Sequence, residues 1–187
     1  MAKYFNEITV IVTDTKEQAL HKLLNQGYQI IEQFLIEDSY YLPKDYVAKD
    51  TLDVLNHCIL IRKFGNRYKL TYKHKECDDK GIILNQQNYD VQITNPEDAK
   101  AFLTALNYEN ILVLHDDIII MKKDNLGIVL QDVNEGEYFM LEMEENEYYQ
   151  GIDTLITKLN ETGIHYDPSD YYVKKAQLLL EKRKMNG

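Results

Sequence analysis

Three turn signals constrain this chain more than any other feature. Gly65-Asn66, Asp124-Asn125 and Asn134-Glu135-Gly136 each separate two runs rich in Ile, Leu, Val or Tyr. Runs joined so closely pair as antiparallel neighbours, because a parallel connection needs a crossover of about a dozen residues or more. The strands expected on this basis are Ile8–Val12, Tyr28–Leu42 (ended by Pro43), Ile59–Phe64, Tyr68–Lys75, Ile82–Ile93, Ile111–Met121, Gly127–Val133 and Tyr138–Glu144. Fifteen tyrosines and no tryptophan lean the same way, since tyrosine suits half-buried strands where its ring packs and its hydroxyl reaches a polar partner.

Between these runs the apolar period changes to that of a helix. Asp14 or Thr15 caps a first helix that carries Ala19, Leu20, Leu23 and Leu24 and stops at Gly27. Thr94 or Asn95, followed by Pro96, opens a second, with Ala99, Phe102, Leu103 and Leu106 on its apolar side. A third carries Ile152, Leu155, Ile156 and Leu159 before Gly163, and a fourth runs from Ser169 through Leu180, entered by Pro168. Leu24-Asn25, Leu106-Asn107 and Leu159-Asn160 each end a helical stripe, which leaves open either an internal duplication or the ordinary preference of Asn and Gly for helix ends.

The 187 residues suit one domain, residues 1–187, with a substantial core and no linker-like stretch. A net charge of −10 argues against nucleic-acid and anionic-membrane partners. With Cys58 and Cys77 as the only cysteines and no CxxC, neither a disulfide framework nor a four-cysteine zinc site is supported. His57, His74, His115 and His165 show no paired metal spacing, and Lys174-Lys175 and Lys182-Arg183-Lys184 read as complements to a helix dipole. The N-terminal residues lack a signal-peptide core and no run is long enough to span a bilayer, so a cytoplasmic protein is expected.

Several segments, in order along nearly the whole chain, resemble the CYTH superfamily, the triphosphate tunnel enzymes. Asp38-Ser39-Tyr40-Tyr41 is similar to the family's Asp-x-Tyr-Tyr, and Ile59-Leu60-Ile61-Arg62 followed by Leu70-Thr71-Tyr72-Lys73 resembles its Leu-Arg-Ile-Arg and Leu-Thr-x-Lys strand pair. Glu142-Met143-Glu144 looks like the late Glu-x-Glu, Glu7 matches the first carboxylate of the N-terminal Glu-x-Glu-x-Lys, and Ser169-Asp170-Tyr171-Tyr172 resembles the closing Ser-Tyr helix. The resemblance implies an α+β fold, mainly an antiparallel closed β-barrel of about eight strands with helices packed outside. In it, Arg62 and Lys73 hold phosphate, aided by Lys69 and Lys75 on the same strand face, and Glu7, Glu142 and Glu144 ligate Mg2+ or Mn2+.

The partner implied is a small phosphorylated ligand, a triphosphate or nucleotide, and a homodimer stays open. The reaction implied is metal-dependent hydrolysis. A non-catalytic phosphate-ligand or nucleotide-binding regulatory module and an adenylyl cyclase are the alternatives, because the same tunnel can direct attack by water or by a ribose hydroxyl. The chain departs from the family pattern at Thr9 and Ile11, where Glu and Lys stand in the signature, and at Leu60, where the first Arg stands. The run Leu112 to Ile118 carries no Lys or Arg, and Asp90 is the candidate for a missing mid-chain carboxylate. Burying a triphosphate among so few cations is costly, so these positions predict an altered or impaired site.

Overall fold

The computed structural model describes residues 6–77 and 83–186, with backbone alone at 73–77, 83–86 and 186. Along them run β1 (Glu7–Ile11), α1 (Lys16–Asn25), β2 (Gln29–Pro43), α2 (Thr51–His57), β3 (Ile59–Phe64), β4 (Arg67–Cys77), β5 (Ile83–Ile93), α3 (Pro96–Ala105), β6 (Tyr108–Lys123), β7 (Leu126–Val133), β8 (Tyr138–Glu144), α4 (Ile152–Glu161) and α5 (Lys175–Asn186). The eight strands form one antiparallel sheet in the order β1-β8-β7-β6-β2-β3-β4-β5. The α+β class is as expected. Among the described residues no strand pairing joins β1 to β5, so hydrogen bonds do not close the sheet into the expected barrel.

The chain divides into two compact units. One holds the residues up to Phe34 with Asp116–Val173, the other Leu35–His115 with the residues from Lys174 onward. In the first unit, strand alternation sends Ile8 and Val10 of β1, Leu141 and Met143 of β8, Ile128 and Leu130 of β7 and Ile119 and Met121 of β6 to one face. That face is buried against Ala19 and Leu23 of α1 and Leu155 and Leu159 of α4. The capping box foreseen for α1 is present: Thr15 Oγ1 accepts from the Gln18 N–H at 3.2 Å, and Gln18 Oε1 accepts from the Thr15 N–H at 2.9 Å. α4 starts differently, at Gly151, whose φ of 88° only glycine adopts without strain, and its N–H donates to Glu145 Oε1 at 2.6 Å.

In the second unit, Tyr41 of β2, Ile61 of β3 and Leu103 of α3 are the buried centre of an apolar cluster completed by Ile59, Leu70, Ile93, Ala99 and Tyr108. Asn95 caps α3 by accepting from the Glu97 N–H, with Pro96 at the first helical position as expected. α2 was not foreseen. Its cap is Asp50, which accepts from the Asp53 N–H at 2.8 Å.

The last helix begins at Lys175, not at Ser169, and the Ser169-Asp170-Tyr171-Tyr172 segment is not helical. Its backbone is spent on β1: the Thr9 N–H donates to the Tyr171 carbonyl at 2.8 Å and the Val173 N–H donates to the Thr9 carbonyl at 3.1 Å. Asp167 and Asp170 hold the preceding turns by accepting from the Ser169 and Tyr172 N–H groups. Lys175 therefore opens the helix, where its charge opposes the dipole, whereas Arg183 and Lys184 lie in the last turn and complement it. No helix among the described residues is long and apolar enough to cross a membrane.

Candidate functional site

The four basic candidates all lie in the second unit. β3 and β4 pair so that Arg62 stands directly opposite Lys69, and Lys69 and Thr71 alternate onto the same side of β4. Across β2, Arg62 faces Asp38, and across β5, Thr71 faces Asp90. Because Ile61 and Leu70 alternate to the α3 side, this Arg62 face is the opposite one. The side chains of Lys73 and Lys75 lie outside the described residues, and their backbone pairs with Asn88 and Gln86.

Each described cation here has a carboxylate partner. Arg62 Nε donates to Asp38 Oδ1 at 2.6 Å and Nη2 to Oδ2 at 2.5 Å, a bidentate pair in which Asp38 is wholly buried. Burial works against the Arg62 charge, and the pair with Asp38 outweighs it, so the guanidinium is held above its usual pKa. Lys69 Nζ donates to Asp90 Oδ2 at 2.8 Å, and Thr71 Oγ1 donates to Asp90 Oδ1 at 2.7 Å. Leu60, at the position where the family carries an arginine, is buried between Tyr40 and Thr71 on the two neighbouring strands.

The three carboxylate candidates lie in the first unit. β1 and β8 pair so that Glu7 faces Glu144 and Thr9 faces Glu142. Glu142 and Glu144 are two residues apart on β8 and share a face, opposite to that of the buried Leu141 and Met143. Glu144 is exposed, yet the protein around it desolvates its carboxyl and Glu7 faces it, and both effects push its pKa up. Gln131 Nε2 on β7 donates to Glu142 Oε2 at 2.8 Å, the diagonal contact expected of that register. Thr9 is buried, its backbone bonded on the other side to the Tyr171–Val173 segment.

The register thus joins Arg62 with Lys69 in one unit and Glu7 with Glu144 in the other. Among the described residues no group of three or more His, Cys, Asp or Glu is arranged as a preformed metal cage. Three of the histidines are engaged locally: His57 stacks on Tyr46, His165 Nδ1 lies 2.9 Å from Asp14 Oδ1 and His115 Nδ1 lies 3.8 Å from Glu37 Oε2, while the side chain of His74 lies outside the described residues. Cys58 is buried, and desolvation pushes its thiol up to about 12, far from a reactive thiolate. Strand spacing could not assign the roles of Asp38, Asp90 and Gln131; Asp38 had a signal in the Asp-x-Tyr-Tyr segment and Asp90 as the candidate mid-chain carboxylate, whereas Gln131 had none.

In each unit the strands carry helices against one face and charged residues on the other, and the chain shares its fold with the solved structures that follow, a likeness consistent with the CYTH fold. The candidate adenylyl cyclase of Hippeastrum, described as having a dominant triphosphatase activity, is 14% identical with a TM-score of 0.69, the match covering 96% of each chain. The PH1819 protein of Pyrococcus horikoshii is 20% identical with a TM-score of 0.68 over 96% of this chain and 100% of its own. A candidate adenylate cyclase of Vibrio parahaemolyticus is 14% identical with a TM-score of 0.64, over 97% of this chain and 99% of its own. At these identities the likeness is one of fold. No family model matches the sequence, and no curated protein is significantly similar to it.

Proposed function

We propose that this protein binds a triphosphate or nucleoside triphosphate and hydrolyses it with the help of Mg2+ or Mn2+, the activity that the CYTH resemblance implies. The observation that carries the reading is the strand register, which sets Arg62 beside Lys69 and Glu7 opposite Glu144. Arg62, Lys69, Lys73 and Lys75 would hold phosphoryl oxygens, Arg62 through donors that suit them geometrically. The donor set fits a divalent cation: two facing carboxylates, one with its pKa raised by desolvation and by the other, are relieved by a hard cation, and Mg2+ is commonly held by only one or two carboxylates plus substrate phosphate. When bound, the ion would polarise a phosphoryl oxygen and lower the barrier to in-line attack. The Hippeastrum neighbour's triphosphatase activity supports hydrolysis over cyclisation.

A second reading, a phosphate-ligand binding module without catalysis, is favoured by one observation. Arg62 and Lys69 are already paired with Asp38 and Asp90, so the described cations bring little unspent positive charge to a polyanion. Incubation with inorganic triphosphate, ATP and thiamine triphosphate plus Mg2+ or Mn2+, following phosphate, pyrophosphate and cyclic nucleotide, separates the two. Metal-dependent phosphate release lost in Arg62→Ala and Glu144→Gln supports hydrolysis. Saturable binding without turnover selects the module, cyclic nucleotide selects a cyclase, and neither turnover nor binding refutes a phosphate site.

A further inference from the structure

The Asp38–Arg62 pair has a geometry that a simple charge partner does not need. Asp38 takes both of its bonds from one edge of the guanidinium, Nε and Nη2, and its side chain is wholly buried while 22% of the Arg62 side chain remains accessible. Two parallel bonds fix the plane of a guanidinium as well as its position. Leu60 and Thr71, at 4% and 2% exposure on the same face, limit how far it could swing. The held edge leaves Nη1, which meets no acceptor among the described residues. A lone arginine on a strand would have to give up side-chain entropy when an anion arrives; one already clamped has lost that freedom on folding.

We propose that Asp38 is the positioning residue of the phosphate site, clamping Arg62 so that its Nη1 edge is presented to a phosphoryl oxygen. The proposal rests on the reading that Arg62 binds phosphate, and it adds that Asp38 acts only through Arg62. Asp38 itself does not touch the ligand; as a carboxylate it would repel one.

The test is a double-mutant cycle read by titration calorimetry with inorganic triphosphate and Mg2+. Binding should weaken about 10- to 100-fold in Asp38→Asn, the range met when a group that orients a functional side chain is removed. Arg62→Gln should lose at least as much, and Asp38→Asn/Arg62→Gln should bind no more weakly than Arg62→Gln alone. Additive losses, or a lone Asp38→Asn that binds like wild type, overturn the clamp. Should Asp38→Asn fail to fold, Arg62→Lys keeps the charge without the bidentate geometry and is expected to show the same loss; wild-type binding by Arg62→Lys overturns the proposal. Wild-type protein that does not bind triphosphate refutes the phosphate-site reading and the clamp with it. A wild type that binds beside an indifferent Asp38→Asn refutes the clamp alone.

Discussion

Cutting the Asp38–Arg62 pair from its two ends should destabilise the fold in two different ways, because only one of the charges can be removed by a proton. Removing one partner of a buried pair costs about 3–5 kcal/mol when the survivor stays charged. Arg62→Ala strands Asp38, whose side chain has 0% exposure, so the full range applies at neutral pH. That stranded carboxyl would hold its proton to higher pH in the folded chain than in the unfolded one. The variant's stability then falls as pH rises above the ordinary carboxylate range, by at most about 1.4 kcal/mol per pH unit. Asp38→Ala strands a guanidinium with 22% of its side chain in water, which lowers its cost to about 2–4 kcal/mol, and arginine does not titrate in this range. Urea unfolding of both variants and wild type at neutral pH and about two units lower separates the cases. Arg62→Ala should recover more than about 1 kcal/mol of its loss on acidification while Asp38→Ala recovers none. Equal, pH-independent losses would mean that water reaches the pair and that Asp38's burial carries no charge penalty.

Three further outcomes follow from single features. The pKa of Glu144 is raised in the folded state, so its ionisation destabilises the fold fully above the raised value, and that penalty fades as pH falls from the raised value toward the ordinary 4.5 and is gone below it. Thermal melts should therefore find Glu144→Gln more stable than wild type at neutral pH, with the difference gone well below pH 4.5. Leu141→Ala empties a position with 0% exposure in the core of the first unit and should cost about 2–5 kcal/mol by urea unfolding, with the slope unchanged. Thr15→Ala removes the hydroxyl acceptor of the α1 capping box and should cost about 1 kcal/mol, measured in the same way.

Much of the fold was legible because its signals are local. Thr15 with Gln18, Asn95 with Pro96 and the turn at Gly65-Asn66 each carry their meaning within a few residues, and the helices and hairpin they mark are present. The closing helix was misplaced because Pro168-Ser169 imitates a helix start, whereas the backbone of Tyr171–Val173 bonds to β1, over 150 residues away in sequence, which no local pattern reveals. α2 was missed because seven residues are too few to establish a period. In the site, strand alternation located Arg62, Lys69, Glu142 and Glu144 on their faces, since the period of two follows from the extended backbone alone. It could not reveal that Arg62 and Lys69 are already spoken for, because Asp38 and Asp90 reach them across a register that only the assembled sheet defines.

The arrangement of polarity in the sheet supports a ligand more strongly than any single residue does. In each unit one face is apolar and covered by helices, which satisfies folding. The other faces hold Thr9, Gln131, Asp38 and Thr71 at 8% exposure or less, among buried neighbours such as Met140 and Leu60. An apolar replacement for a buried ion pair is often neutral or more stable by about 1–4 kcal/mol, so packing alone does not call for Asp38 with Arg62. Nor does solubility, which exposed charges would serve at lower cost. A face that is both buried and polar is costly for a stable core and useful for a site that must meet charge with fixed dipoles. If that cost serves no ligand, replacing Asp38 and Arg62 together by Leu and Met should leave stability equal or higher and phosphate binding untouched; loss of binding with stability retained is the outcome that the site reading requires.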